Sequence, residues 1–153
     1  MKHWIIKIIS VVEIIGGTIG CLLTISYFNS VFSTEQVVLI PIVIGIVFFA
    51  LYVVSILAGY WLWKEKKVGY RLSVITQSLQ IVFFWSKIIS YRFVSGLLAG
   101  ISINSQGLNL DYHAGSIFTF QLLIKQSNLS LGINFIPVIF IYLLYKHKSK
   151  MNI

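Results

Sequence analysis

Apolar residues fall into four runs, residues 4–28, 37–63, 72–91 and 131–145, and charged and polar residues collect between them. A bilayer core of about 30 Å takes about 20 helical residues per crossing, so each run reads as a membrane-spanning helix. The fourth reaches the lower limit of about 17 residues only by borrowing from residues 128–130. The expected helices cover residues 4–28, 37–63, 71–93 and 129–146. The segment between the last two follows another rule. Gly96, Gly100, Gly107 and Gly115 punctuate alternating stretches, Ile101/Ile103, Leu108/Leu110/Tyr112 and Phe118/Phe120/Leu122/Ile124. Period-two patterning between turn formers predicts short antiparallel strands over residues 96–126, with turns near 104–107 and 113–116. The expected fold is therefore an all-α integral membrane protein, a single domain over residues 1–153. It is an antiparallel bundle of four transmembrane helices with a small extracytoplasmic β-hairpin or meander between helices 3 and 4.

Composition supports a membrane solvent: 58% of the 153 residues are hydrophobic and 10% charged, against about a quarter charged in soluble domains. The formal charge of +8 is distributed unevenly. With four crossings, nine of the twelve basic residues share one side: Lys2, Lys7, Lys64, Lys66, Lys67, Arg71, Lys146, Lys148 and Lys150. Lys87, Arg92 and Lys125 take the other. Such asymmetry predicts a multi-pass protein of the inner (plasma) membrane with both termini cytoplasmic. Trp4, Tyr60, Trp61, Trp63, Tyr70 and Tyr145 lie beside the basic clusters, where amphipathic rings favour the interface. The positive charge thus reads as a lipid-headgroup and topology signal, not as nucleic-acid binding. The opening segment ending at Cys21 has the outline of a cleaved signal, but Glu13 interrupts its apolar stretch and residues 22–28 stay apolar, so it reads as the first helix. A lone cysteine excludes an intramolecular disulfide or dithiol centre.

Glu13 is the residue that most needs an explanation, because a carboxyl group within a membrane helix is costly. Counting up from Lys7 and Arg71 at 1.5 Å per residue puts Glu13 and Gln77 level, roughly 9 Å above the cytoplasmic face. Gln80 lies one turn above Gln77, near Thr76 and Ser73, and Ser55 on the descending second helix reaches the same height. These spacings predict an intramembrane polar layer of Glu13, Ser55, Gln77 and Gln80. Gly16, Gly17 and Gly20 form a smooth strip on the side of Glu13, suited to helix packing within the chain or against a second copy.

Three roles compete for Glu13: a neutral carboxyl group bonded to Gln77 or Gln80 that fixes helix register, a proton or cation site in a transport path, or an interfacial group reaching back toward Lys7. The stretch VEIIGGTIG resembles the first helix of the small multidrug resistance transporters over fewer than ten residues. That resemblance implies alternating proton and cationic-drug binding at Glu13. The longer external segment and the stronger charge bias of this chain depart from that family.

Catalytic signatures are sparse. His3, His113 and His147 are scattered, which offers no metal or acid–base cluster, and no CxxC, phosphate-loop, HExxH or GxSxG pattern occurs. Asp111 and His113 share one face of an expected strand, a spacing more consistent with a solvated edge than with a catalytic pair. No cofactor, metal or catalytic residue is expected. The leading functional expectation is a non-enzymatic scaffold or subunit of a membrane assembly, joined to itself or to a membrane partner through the glycine strip and the external hairpin. The alternative is a small proton- or cation-coupled transporter or channel using Glu13.

Overall fold

The computed structural model describes residues 3–33, 39–122 and 129–148. In chain order it holds α1 (His3–Phe32), α2 (Leu39–Trp63), α3 (Lys67–Leu79), β1 (Val82–Trp85), β2 (Ile89–Val94), β3 (Leu97–Asn104), β4 (Gly107–Ala114), β5 (Ile117–Leu122), β6 (Ser130–Asn134) and α4 (Phe135–Lys148). The strands form one antiparallel sheet in the order β4-β3-β6-β1-β2-β5.

This architecture overturns the four-helix bundle. Three helices precede a six-stranded sheet and one follows it, and among the described residues only α1 and α2 are long and apolar enough to cross a bilayer. Those two helices support membrane association. Only 22% of the most apolar window of α2 is buried, unlike the core helix of a soluble protein. The expected third helix, residues 71–93, is in fact α3, β1 and most of β2. The expected fourth, residues 129–146, begins as β6. Apolar length misled because both faces of β1 carry apolar side chains, Val82 and Phe84 on one and Phe83 and Trp85 on the other, which erases the alternation that marks a half-buried strand. What distinguishes residues 82–85 is their run of β-branched and aromatic side chains, VFFW. The insertion is correspondingly larger than residues 96–126. The two expected turns fall at 105–106 and 115–116, with further turns at 86–88 and 95–96, while 34–38 in the first connection and 123–128 at the end of the expected insertion lie outside the described residues.

The helices share one rule of burial. In α1 the inward stripe is Ile6, Ile9, Ser10, Glu13, Gly16, Gly17, Gly20 and Thr24, while Ile8, Ile15, Leu22 and Ile25 face outward. In α2 the buried positions are Gly45, Phe48, Tyr52, Ser55, Ala58, Gly59 and Leu62. Small and polar groups fill much of the inside between apolar cores, and many bulky apolar residues face outside. At one end Ile6, Ile9, Leu62 and Leu144 form a core, which brings the start of α1, the α2–α3 turn and the end of α4 together. Lys7 lies 5.2 Å from the Trp63 ring centre there, and Lys64 lies 4.4 Å from that of Tyr60.

The sheet rises from the opposite half of this bundle. Strand register assigns each side chain to a face. One face carries Phe84 and Tyr91, Phe93 and Phe118, Ile101 and Leu110, Ile103 and Leu108, and Ile133 and Leu131. Its β2–β5 end packs on α2, with Phe93 and Phe118 against Phe48 and Tyr52. The opposite face curls inward around Phe83, Val94 and Leu98. Arg92 stacks there over Phe83 and Trp85, 5.0 and 5.4 Å from the ring centres. The curl is tightest at the lower end, where the Gly115 N–H donates to the Gly96 carbonyl at 2.7 Å. Both glycines have φ values, 110° for Gly96 and 122° for Gly115, that other residues rarely adopt.

Candidate functional site

Glu13 projects from the middle of α1 and is fully buried. Gly59 on α2 allows this approach: a Cβ there would lie 2.6 Å from the Ser10 carbonyl oxygen and 3.1 Å from the Glu13 Cβ. From the other side α3 presents Ser73 and Gln77, one turn apart. The Ser73 hydroxyl donates to Glu13 Oε2 at 2.7 Å, and Gln77 Nε2 donates to Oε1 at 3.0 Å. Each carboxyl oxygen thus accepts one bond, and both donors are themselves buried. Charge-assisted bonds of this kind are the stronger class when the acceptor is ionised.

The remaining polar-layer residues connect the helices to the sheet. Ser55 donates to the Glu13 backbone carbonyl at 3.3 Å, and its Oγ lies 2.9 Å from that of Ser95 in the β2–β3 turn. Gln80 bonds elsewhere than to the Glu13 carboxyl group. Its Oε1 accepts the Ser95 backbone N–H at 2.8 Å, and its Nε2 donates to the Thr76 carbonyl at 3.2 Å. Glu13 and Gln77 are therefore in direct contact, Ser55 meets the backbone of Glu13, and Gln80 holds the turn beyond.

Three participants escaped the sequence reading. Ser95 sits at the β2–β3 turn, between the expected third helix and the expected insertion. Ser116 donates to the Gly16 carbonyl from the β4–β5 turn. Asn134 ends β6 and begins α4: its Oδ1 accepts the N–H of Ala99 at 3.1 Å and of Ile136 at 3.2 Å, and its Nδ2 donates to the Leu97 carbonyl at 3.2 Å. A usable signal existed for Asn134, since asparagine immediately before an apolar run with Pro137 in its first turn marks a helix start.

The glycine strip has its partners within the chain. A Cβ at Gly16 would collide with the backbone of Ser95 and Gly96, one at Gly17 would lie 2.8 Å from the Tyr52 carbonyl oxygen, and one at Gly20 would enter the Tyr52 ring. The strip is where α2 and the sheet reach α1. Asp111 and His113 lie on the inward-curling face of β4, where Asp111 accepts a hydrogen bond from Ser102. Among the described residues no group of three His, Cys, Asp or Glu side chains is placed to hold a metal.

Chemically, the Glu13 cluster is an acceptor held by two neutral donors, an arrangement that ties α1 to α3. Comparison with protein-family models, curated proteins and solved structures finds no match.

Proposed function

We propose that the chain is a non-enzymatic scaffold or subunit of a membrane assembly that joins a second copy of itself through strand β4. The supporting observation is the state of that strand. Among the described residues β4 pairs only with β3, and it exposes Leu108, Leu110 and Tyr112 at 64%, 75% and 87%. An apolar edge strand with an open row of backbone donors and acceptors is a template for another strand, and symmetric antiparallel pairing closes it. The glycine strip has no part in this contact, being occupied within the chain. In this reading the protein lies in an inner or plasma membrane, with the end bearing Lys7, Lys64, Lys66, Lys67, Arg71 and Lys146 toward the cytoplasm.

Single cysteines placed along residues 107–114 in a Cys21→Ser background test the contact by oxidation in vesicles. Symmetric pairing concentrates the cross-linked dimer at one or two neighbouring positions. No dimer, or an even distribution along the strand, rules it out.

A second reading, proton or cation translocation at Glu13, is favoured by the full burial of a carboxyl group within a helix able to cross a bilayer. Proton-coupled flux in liposomes that Glu13→Gln abolishes while leaving the β4 cross-link intact would establish it instead.

A further inference from the structure

We propose that the apolar outer face of the β-sheet is a lipid-contacting surface, seated among the acyl chains of the bilayer beside α1 and α2. Three observations support this occupant.

The first is inversion. In a soluble protein large apolar side chains are mostly inside and charged or hydrogen-bonding ones outside. Here Glu13, Ser55, Ser73, Gln77, Gln80 and Asn134 are fully buried beside small apolar cores such as Phe83, Val94 and Leu98, while bulky apolar residues cover much of the exterior of helices and sheet alike. Alternation with apolar groups outward and polar groups inward is the pattern of strands that face lipid.

The second is the ends of the band. At the top, the β1–β2 turn carries exposed Lys87 and the β3–β4 turn exposed Gln106. Register places the two turns level, because Trp85 and Asn104 both pair with Ser130. At the bottom lie Lys7, Lys64 and Arg71. The lower turns meet α1 at Gly16, about 14 Å above Lys7 at 1.5 Å per residue. Strand β3, with eight residues, adds up to about 26 Å at 3.3 Å per residue, less with tilt. The sheet thus reaches the far side of a core about 30 Å thick, near the upper end of α1.

The third is the backbone. Backbone at membrane depth is tolerated where its polar groups are paired, in helices or strand ladders, and irregular chain only where protein covers it or it lines a water-filled cavity. Every lower junction meets that condition: the Ser95 N–H bonds Gln80, the Gly115 N–H bonds Gly96, the Asn134 N–H bonds the Ile81 carbonyl at 2.7 Å, and the Asn134 side chain caps α4. The polar layer is therefore where helix gives way to strand, and it shields that transition from hydrocarbon. Lipid around the sheet requires a partner for the outer edge of β4, so this proposal rests on the self-association proposed above; cross-linking along β4 reads that contact, and reagent access at the face reads the lipid contact.

Nitroxide labels at Leu108, Leu110 and Ile133, with Gln106 as the turn control, test the occupant in Cys21→Ser protein reconstituted in phosphatidylcholine–phosphatidylglycerol vesicles. Lipid contact gives collision rates with oxygen several-fold above those with an aqueous nickel chelate at the three face positions, and the reverse at Gln106. Chelate access at Leu110 equal to that at Gln106 places the face in water, and low access to both reagents places it under protein; either result overturns the proposal. In the unlabelled wild-type chain, a diazirine carried on a lipid acyl chain should mark residues 107–114 as well as α1 and α2. Marks confined to the helices overturn the proposal independently of any variant.

Discussion

Replacing Glu13 with leucine removes the acceptor of two buried donors, and its cost bears directly on whether the residue is a structural tie. Leucine fills most of the same volume, so the loss comes chiefly from the orphaned Ser73 hydroxyl and Gln77 amide, which are 0% and 2% exposed. A buried donor left unpaired costs about 1–3 kcal/mol, which would sum to about 2–6 kcal/mol. Interhelical hydrogen bonds within membranes average only about 0.6 kcal/mol, because the membrane-inserted unfolded chain also finds partners. Between these limits Glu13→Leu is expected to lose about 1–4 kcal/mol in equilibrium unfolding by sodium dodecyl sulfate in mixed micelles. Glu13→Gln should stay within about 1 kcal/mol of wild type, since its amide oxygen still accepts from Gln77 and its nitrogen can donate to the Ser73 oxygen. The combined variant Glu13→Leu, Ser73→Ala, Gln77→Leu should recover most of the loss, because removing both sides of a buried pair is far cheaper than removing one. A stable Glu13→Leu variant, or a triple variant no better than the single one, would refute this role.

Asn134→Ala deprives the Ala99 and Ile136 N–H groups of their acceptor, at about 1–3 kcal/mol for each group left unpaired, and hydrogen exchange should rise first at residues 97–101 and 135–138. Gly100→Val drives a branched side chain into the backbone of Ile133 and Asn134, whose Cα would lie 3.2 Å from the new Cβ; separation of β3 from β6, seen as lost exchange protection in both strands, is the expected outcome. Leu110→Arg on the outer face should lower stability in vesicles by up to about 3 kcal/mol and change it little in a water-filled setting.

Much of the site was legible in the chain, while the fold around it was not. Helical rise and the positions of Lys7 and Arg71 were enough to level Glu13 with Gln77, because that count needs only the first turns of α3, which is a helix as far as Leu79. Beyond Leu79 hydrophobicity stopped being informative. A lipid-facing helix and a strand apolar on both faces present the same run of bulky residues, and only aromatic and β-branched enrichment separates them. Strands β3 and β4 were visible because their inward faces hold Ser102, Asn109 and Asp111, which preserves the alternation. The pairing of β6 with both β1 and β3 left no local trace, since it joins residues about 30 to 50 apart in the chain. Gln80 illustrates the consequence: it was placed in a layer with Glu13, but its hydrogen-bond partner belongs to a turn created by those distant pairings.

The most direct test of this helix-to-sheet architecture is a disulfide across the β3–β6 register. Ile103 and Leu131 are Cα partners and both are exposed, so cysteines there should disturb little. In Cys21→Ser protein in vesicles, Ile103→Cys with Leu131→Cys should oxidise to an intramolecular cross-link far faster than Leu97→Cys with Leu131→Cys, which lies six residues out of register along β3. Equal rates for the two pairs, or no cross-link in either, would contradict the β3–β6 pairing and the sheet built on it.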